Sequence, residues 1–117
     1  MTPEELRSRT KSFAVRIVKV YRSLPRTTDA QVMGKQLLRC GTSVAANYRA
    51  SCRARSRAEF AARIGIVVEE ADETGFWLEM LSDTNIVKAE RLKDLLQESR
   101  ELTAIFSATR QSVRRRG

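Results

Sequence analysis

The side chains of this 117-residue chain that could do chemistry are two cysteines, one acidic run and many arginines, and there is no histidine. Without an imidazole there is no Ser-His or Cys-His nucleophile pair, no His-ligated metal, and no acid or base working near neutral pH. No residue has the setting of a catalyst, so a non-enzymatic protein without a cofactor is expected. Cys40 and Cys52 are twelve positions apart. On one helix they would be separated by roughly 18 Å, too far for a disulfide, which suits a reducing cytosol. They read as small packing side chains rather than a redox pair. The acidic run Glu69, Glu70, Asp72 and Glu73 invites comparison with dimetal carboxylate bundles. Those need Glu and Glu-x-x-His from several helices, whereas the first half of this chain offers only Glu4, Glu5 and Asp29. No metal is expected.

The arginines are the stronger signal. Residues 1–58 hold 13 Lys/Arg against three Asp/Glu, residues 59–113 hold six against 11, and the last four residues add three more arginines. Arg9, Arg16 and Lys19 share a stripe of the first helical segment, and Arg49, Arg53, Arg55 and Arg57 crowd the connection after the second. A guanidinium stays charged at any working pH and donates two parallel hydrogen bonds to a phosphate. These seven residues are therefore candidates for nucleic-acid binding. The other reading pairs them with the acidic run, within one subunit or across an interface.

The elements that must position these groups are helical. Two prolines, five glycines, no Asn-Gly or Asp-Gly hairpin signal and recurrent three-four apolar spacing predict an all-α, antiparallel, up-down-up-down four-helix bundle. It forms a single domain over 1–117, with helices at 3–24, 29–50, 57–81 and 87–113. Two helical hairpins that complete a bundle only with a partner chain would share these patterns. Capping boxes are expected at Thr2/Glu5, Thr28/Gln31 and Ser56/Glu59. The seams are Leu6, Thr10, Phe13, Ile17, Val20 and Leu24, then Met33, Leu37, Cys40, Val44 and Asn47. Phe60, Ile64, Val67, Ala71, Leu78 and Leu81 follow, and Leu92, Leu95, Ser99, Leu102, Phe106, Thr109 and Val113 complete the set. Gly34 and Gly41 on the second helix should admit a close neighbour.

Ile66, Val68, Phe76 and Trp77 lie off the third seam, which predicts a subunit interface there or a central position for the helix. The composition, 42% hydrophobic and 31% charged, carries a core but no membrane span. The acidic start Met1-Thr2-Pro3-Glu4-Glu5 lacks the order of a signal peptide, so a cytoplasmic protein is expected.

The segment Gln36-Leu37-Leu38-Arg39-Cys40-Gly41-Thr42-Ser43-Val44-Ala45-Ala46-Asn47, followed by Arg55-Ser56, Phe60 and the Ala71-to-Leu78 stretch, resembles the four-helix-bundle family named for 23S rRNA intervening-sequence proteins. In that family's pattern of an Arg, a Ser-Ile, an Asn, a Gly-Arg-x-Ser connection, a Phe and a later Glu, the places are taken here by Arg39, Ser43-Val44, Asn47, Arg55-Ser56, Phe60 and Glu73. Where the family commonly has Asn-Ile-Ala-Glu-Gly, this chain has Asn47-Tyr48-Arg49-Ala50-Ser51, so no role of that Glu carries over. The resemblance implies a left-handed bundle assembled as a ring-like homopentamer. It also implies kinship in fold with the accessory protein of diversity-generating retroelements, which works with nucleic acid and a reverse transcriptase. The family name describes gene location rather than an activity. From the residues themselves, Arg39, Ser43 and Asn47 stand one turn apart on the second helix, as do Glu70 and Glu73 on the third. They predict a partly buried, structural polar layer in which Arg39 pairs with Glu73 while Ser43 and Asn47 fix register or satisfy a helix end. The function expected is that of an oligomeric nucleic-acid-binding adaptor, with a protein-interaction scaffold as the alternative.

Overall fold

A computed structural model describes residues 1–116. It contains α1 (Pro3–Ser23), α2 (Thr28–Ser51), α3 (Arg57–Asp83) and α4 (Ala89–Arg116), packed as an antiparallel four-helix bundle of 46 × 21 × 20 Å. The four expected segments are all present, with ends shifted by up to three residues. Consecutive helices make the main contacts, and α2 packs on α3 within the one chain, so the two hairpins complete their own bundle. No described helix is long and apolar enough to cross a membrane.

Local chemistry explains most of the boundaries. The Glu5 amide donates to Thr2 Oγ1 at 3.1 Å and the Thr2 amide to Glu5 Oε1 at 3.3 Å, so the first capping box forms as expected. These bonds, led by the Thr2 side chain, hold the Glu5 carboxyl below its ordinary range. α1 stops at Ser23 because Leu24, ahead of Pro25, is extended. The second box does not form. Thr28 is already helical and Thr27 is the N-cap, without a side-chain bond; Gln31 instead donates across the turn to the Pro25 carbonyl at 2.9 Å. At α3 the Glu59 amide donates to Ser56 Oγ at 3.0 Å, but the Glu59 carboxylate accepts from the Arg55 amide, one residue earlier than a reciprocal box requires. Between α3 and α4, Asn85 takes the left-handed conformation (φ 61°) that Asn tolerates better than most residues. The Ile86 and Val87 amides then return to the Leu81 carbonyl.

The core follows the expected seams on α1, α3 and α4, with Phe13, Ile17, Ile64, Leu78, Leu102 and Phe106 almost wholly buried. On α2 the seam differs. Met33 and Asn47 are only half-buried, and Gly34, Gly41, Tyr48 and Ser51 are buried in line with Ala30, Leu37 and Val44. That set repeats every three and four residues, the spacing of knobs-into-holes packing. The Tyr48 ring meets Phe106 of α4 with centroids 5.0 Å apart, and burial pushes its phenol up to about 12. Gly41 lies against Ile17 so closely that a Cβ there would stand 2.7 Å from Ile17 Cγ1 and 2.8 Å from Cγ2. The expected close approach at this glycine is made by a branched side chain of α1.

Candidate nucleic-acid interface

The positive residues divide into those already neutralised by the bundle and those left open. Arg9 belongs to the first group. Its Nε and Nη2 donate to the two Glu98 oxygens, each at 2.7 Å, and Nη2 reaches Glu101 at 3.0 Å. This fork joins α1 to α4, and its Glu98 bonds raise the Arg9 pKa against the opposing effect of partial burial. Arg9 thus commits most of its charge to an intramolecular fork, and it does not line the groove described next. Arg16, two turns further along α1, and Lys19 are exposed and make no salt bridge among the described residues, but they lie outside the groove described next.

The open group gathers elsewhere. A groove of about 830 Å³ runs between the first half of α1 and the second half of α2, lined by Arg7 and Lys11 from one side and Arg49 and Arg53 from the other. Its floor is Ser8, Thr42, Ala45 and Ala46, with Cys52 beside it, and Glu4 is its single carboxylate. All four cations are exposed, and among the described residues none forms a salt bridge. Small residues on α2 leave the groove open, and antiparallel packing sets the start of α1 beside the end of α2. Arg49 belongs to α2 and Arg57 opens α3, so the connection proper is Cys52 to Ser56, carrying Arg53 and Arg55. Arg57 Nη1 donates to the Arg116 carbonyl at 3.2 Å. The sequence reading missed Arg7 and Lys11. They share one face of α1 with Glu4 and Ser8 at helical spacing, and that face could have been read as facing α2.

The expected polar layer exists, with Arg39 at its exposed edge. Arg39 donates to Glu73 and, at 3.3 Å, to Glu70, with its own side chain half-exposed. Ser43, Asn47, Glu70 and Glu73 are partly buried as expected, and Arg39 alone lies exposed, pointing outward along the α2–α3 seam. The Trp77 indole N–H donates to Glu73 at 3.1 Å, and this bond, followed by Arg39, holds the Glu73 carboxyl below its ordinary range. Asn47 does not satisfy a helix end. Its Nδ2 donates to Ser43 Oγ at 2.8 Å while its Oδ1 accepts from Arg63 of α3 at 3.2 Å. Asn47 is thus a cross-link between the two helices, and Arg63 is a member of the layer that sequence reasoning missed.

Residues 5–108 match the sequence model of the family described as 23S rRNA-intervening sequence protein. The chain belongs to this family. A crystal structure of an S23 ribosomal protein family member of unknown function from Bacteroides thetaiotaomicron VPI-5482 is similar to it, with 35% identity and a TM-score of 0.87. The match covers 95% of this chain and 99% of that one. No curated protein sequence matches the chain significantly.

Within this family member the four off-seam residues of α3 separate. Val68 is only 7% exposed and belongs to the core, which corrects its assignment to an interface: α3 packs against both α2 and α4, so its buried arc is wider than one seam. Trp77 packs partly against the core and is tied to Glu73. Ile66 and Phe76 remain outside, 38% and 50% exposed, with the Phe76 ring edge-on to Trp77 at 4.9 Å. Cys40 is buried and Cys52 exposed, both free thiols. Burial raises the Cys40 pKa. No group of three or more potential metal ligands gathers among the described residues.

Proposed function

We propose that the protein is a non-enzymatic adaptor that binds nucleic acid, RNA foremost, through phosphates held in the α1/α2 groove. One observation carries this reading: Arg7, Lys11, Arg49 and Arg53 converge on a single open groove without salt-bridge partners, whereas Arg9, Arg39 and Arg100 are paired with carboxylates of the bundle. Like charges held close on rigid helices raise the local potential and attract a polyanion. The reading further takes the protein to act as a homo-oligomer, a homopentamer by the family resemblance, in which Ile66 and Phe76 are covered by another copy.

The test is a fluorescence-anisotropy titration of nuclease-treated protein with labelled RNA at several salt concentrations. Four phosphates neutralised on a single strand should give a slope of log affinity against log salt of about −3. Arg49→Glu combined with Arg53→Glu should weaken binding at every salt concentration while the sedimentation coefficient and helix content stay unchanged. A flat slope, or full binding by that variant, would refute the groove as the site. No binding at low salt would leave a protein-interaction scaffold, with the arginines meeting acidic protein surfaces.

A further inference from the structure

We propose that this site grips the phosphate backbone of a double helix, and that the three arginines closing α4 form its second half. The proposal rests on the nucleic-acid reading above and names the class of polymer it takes.

The first observation is a juxtaposition that only the fold creates. Up-down-up-down order brings the start of α1, the α2–α3 connection and the end of α4 to one end of a bundle 46 Å long. The Arg57–Arg116 bond records the meeting of residues 59 positions apart. Arg114, Arg115 and Arg116 are exposed there, and Arg115 and Arg116 line a shallow depression of about 310 Å³ with Ala108, Gln111 and Ser112. This end therefore carries the groove cations on one side and the α4 arginines on another, with Arg55 and Arg57 between them. Its carboxylates are Glu4 and Glu5 at the start of α1 and Glu59 of α3, which accepts from the Arg55 amide, and the cations of this end outnumber them. At the far end the signs are mixed, with Arg26 and Asp29 around one turn and Asp83, Lys88 and Glu90 around the other. The charge is polarised along the long axis.

The second observation is the lack of rings on this surface. Neither the α1/α2 groove nor the α4 depression is lined by an aromatic residue. Tyr48 is buried against Phe106, and Phe60 packs on the core. Single-strand binders combine a basic track with aromatic platforms on which bases stack, and sequence-specific RNA modules do the same with splayed bases. An end that offers cations and small polar groups can read only the backbone. A double helix presents the denser charge, one per roughly 1.7 Å of axis, and its two strands are ordered in advance. Cations on two sides of a rigid end about 20 Å across can then be met by both strands, while a single strand must lose freedom to wrap between them.

The experiment compares a labelled RNA hairpin, the same hairpin in DNA, and an unstructured single-stranded RNA of equal phosphate number, each titrated with the full chain at several salt concentrations. The hairpins should bind roughly tenfold tighter than the single strand, with no dependence on stem sequence. Equal affinity for both hairpins would show recognition by charge alone. Preference for the RNA hairpin would add A-form shape, and both results support the proposal. Replacing Arg114→Gln, Arg115→Gln and Arg116→Gln together should lower the magnitude of the hairpin salt slope by about 2 to 3, with helix content unchanged. Equal binding of single strand and hairpin, or an unchanged slope in the triple variant, would overturn this proposal while leaving the groove reading intact. Absence of binding to all three probes would overturn both.

Discussion

Gly41→Ala should destabilise the protein, and the size of the effect follows from the contact it creates. In an open helix interior, replacing Gly by Ala gains about 0.8–1 kcal/mol. At Gly41 the new Cβ would stand 2.7 and 2.8 Å from the two branches of Ile17 and 3.1 Å from its Cβ. Ile17 is fully buried, and the branch point beside its own backbone cannot swing away. Overpacking of this kind costs about 1–3 kcal/mol, occasionally more, and the unyielding branch point puts Gly41 toward the upper end, so the net change should be a loss of up to about 2 kcal/mol. Gly65 is the control, because a Cβ there meets nothing nearer than Arg110 Cδ at 3.9 Å. Gly65→Ala should therefore stabilise by about 0.5–1 kcal/mol. Urea unfolding followed by circular dichroism, at one protein concentration and with equal m-values, would show the two midpoints moving in opposite directions. Ile17→Ala removes both clashing γ carbons, so the Gly41→Ala/Ile17→Ala double variant should lose less than the sum of the two single losses. If Gly41→Ala raised the midpoint as Gly65→Ala does, the reasoning from close packing of α1 on α2 would be wrong.

Arg39→Ala should cost no more than about 1 kcal/mol, because the half-exposed Arg39 strap to Glu70 and Glu73 is screened by solvent; a loss above about 2 kcal/mol in urea unfolding would contradict a surface role. Arg9→Ala should cost more, about 1–2 kcal/mol, since its two-pronged bond to the mostly buried Glu98 is the chief polar link between α1 and α4. A double-mutant cycle with Glu98→Gln would read that coupling, and a coupling near zero would remove the link. Glu5 and Glu73 have carboxyls lowered from 4.5 in the folded chain, so each contributes stability that is present above its unfolded pKa and lost as pH falls through the lower folded one. Stability should decline as pH drops below about 4.5, and Glu73→Gln should make that decline shallower. A Glu73→Gln curve parallel to that of the parent chain would refute the contribution.

The fold was largely legible because its causes are local. Thr2, Pro3 and Glu5 cap α1, Pro25 ends it, and Ser56 starts α3 through bonds that span three residues or fewer. The apolar repeats of α1, α3 and α4 likewise pass into the core for the most part, with Val68 added on α3 and Thr109 and Val113 left half-buried on α4. The local reading failed where two short-range choices competed. Thr27 and Thr28 could each have capped α2, and the turn at Pro25 drew Gln31 away from the second. On α2 the expected seam runs through Met33, which packs against the core only in part, and Asn47, which is half-buried and bonded to Arg63. Side-chain size suggested them, but the surface facing α1 is built from Gly34 and Gly41, whose value lies in having no side chain.

The candidate site was legible as a composition and not as a place. Sequence alone determined that arginines crowd the first half of the chain and its last residues, that histidine is absent, and that the acidic run lies on the third helix. Charge is additive and needs no partner to be counted. Tertiary structure decided which charges remain open. It placed Glu98 and Glu101 against Arg9, set Arg63 on Asn47, and left Arg7, Lys11, Arg49 and Arg53 facing one groove. It also brought Arg116 to Arg57 across more than half of the chain. A salt bridge or a shared groove depends on distances of a few ångströms between residues far apart in sequence, and only the packing of one helix on another sets those distances.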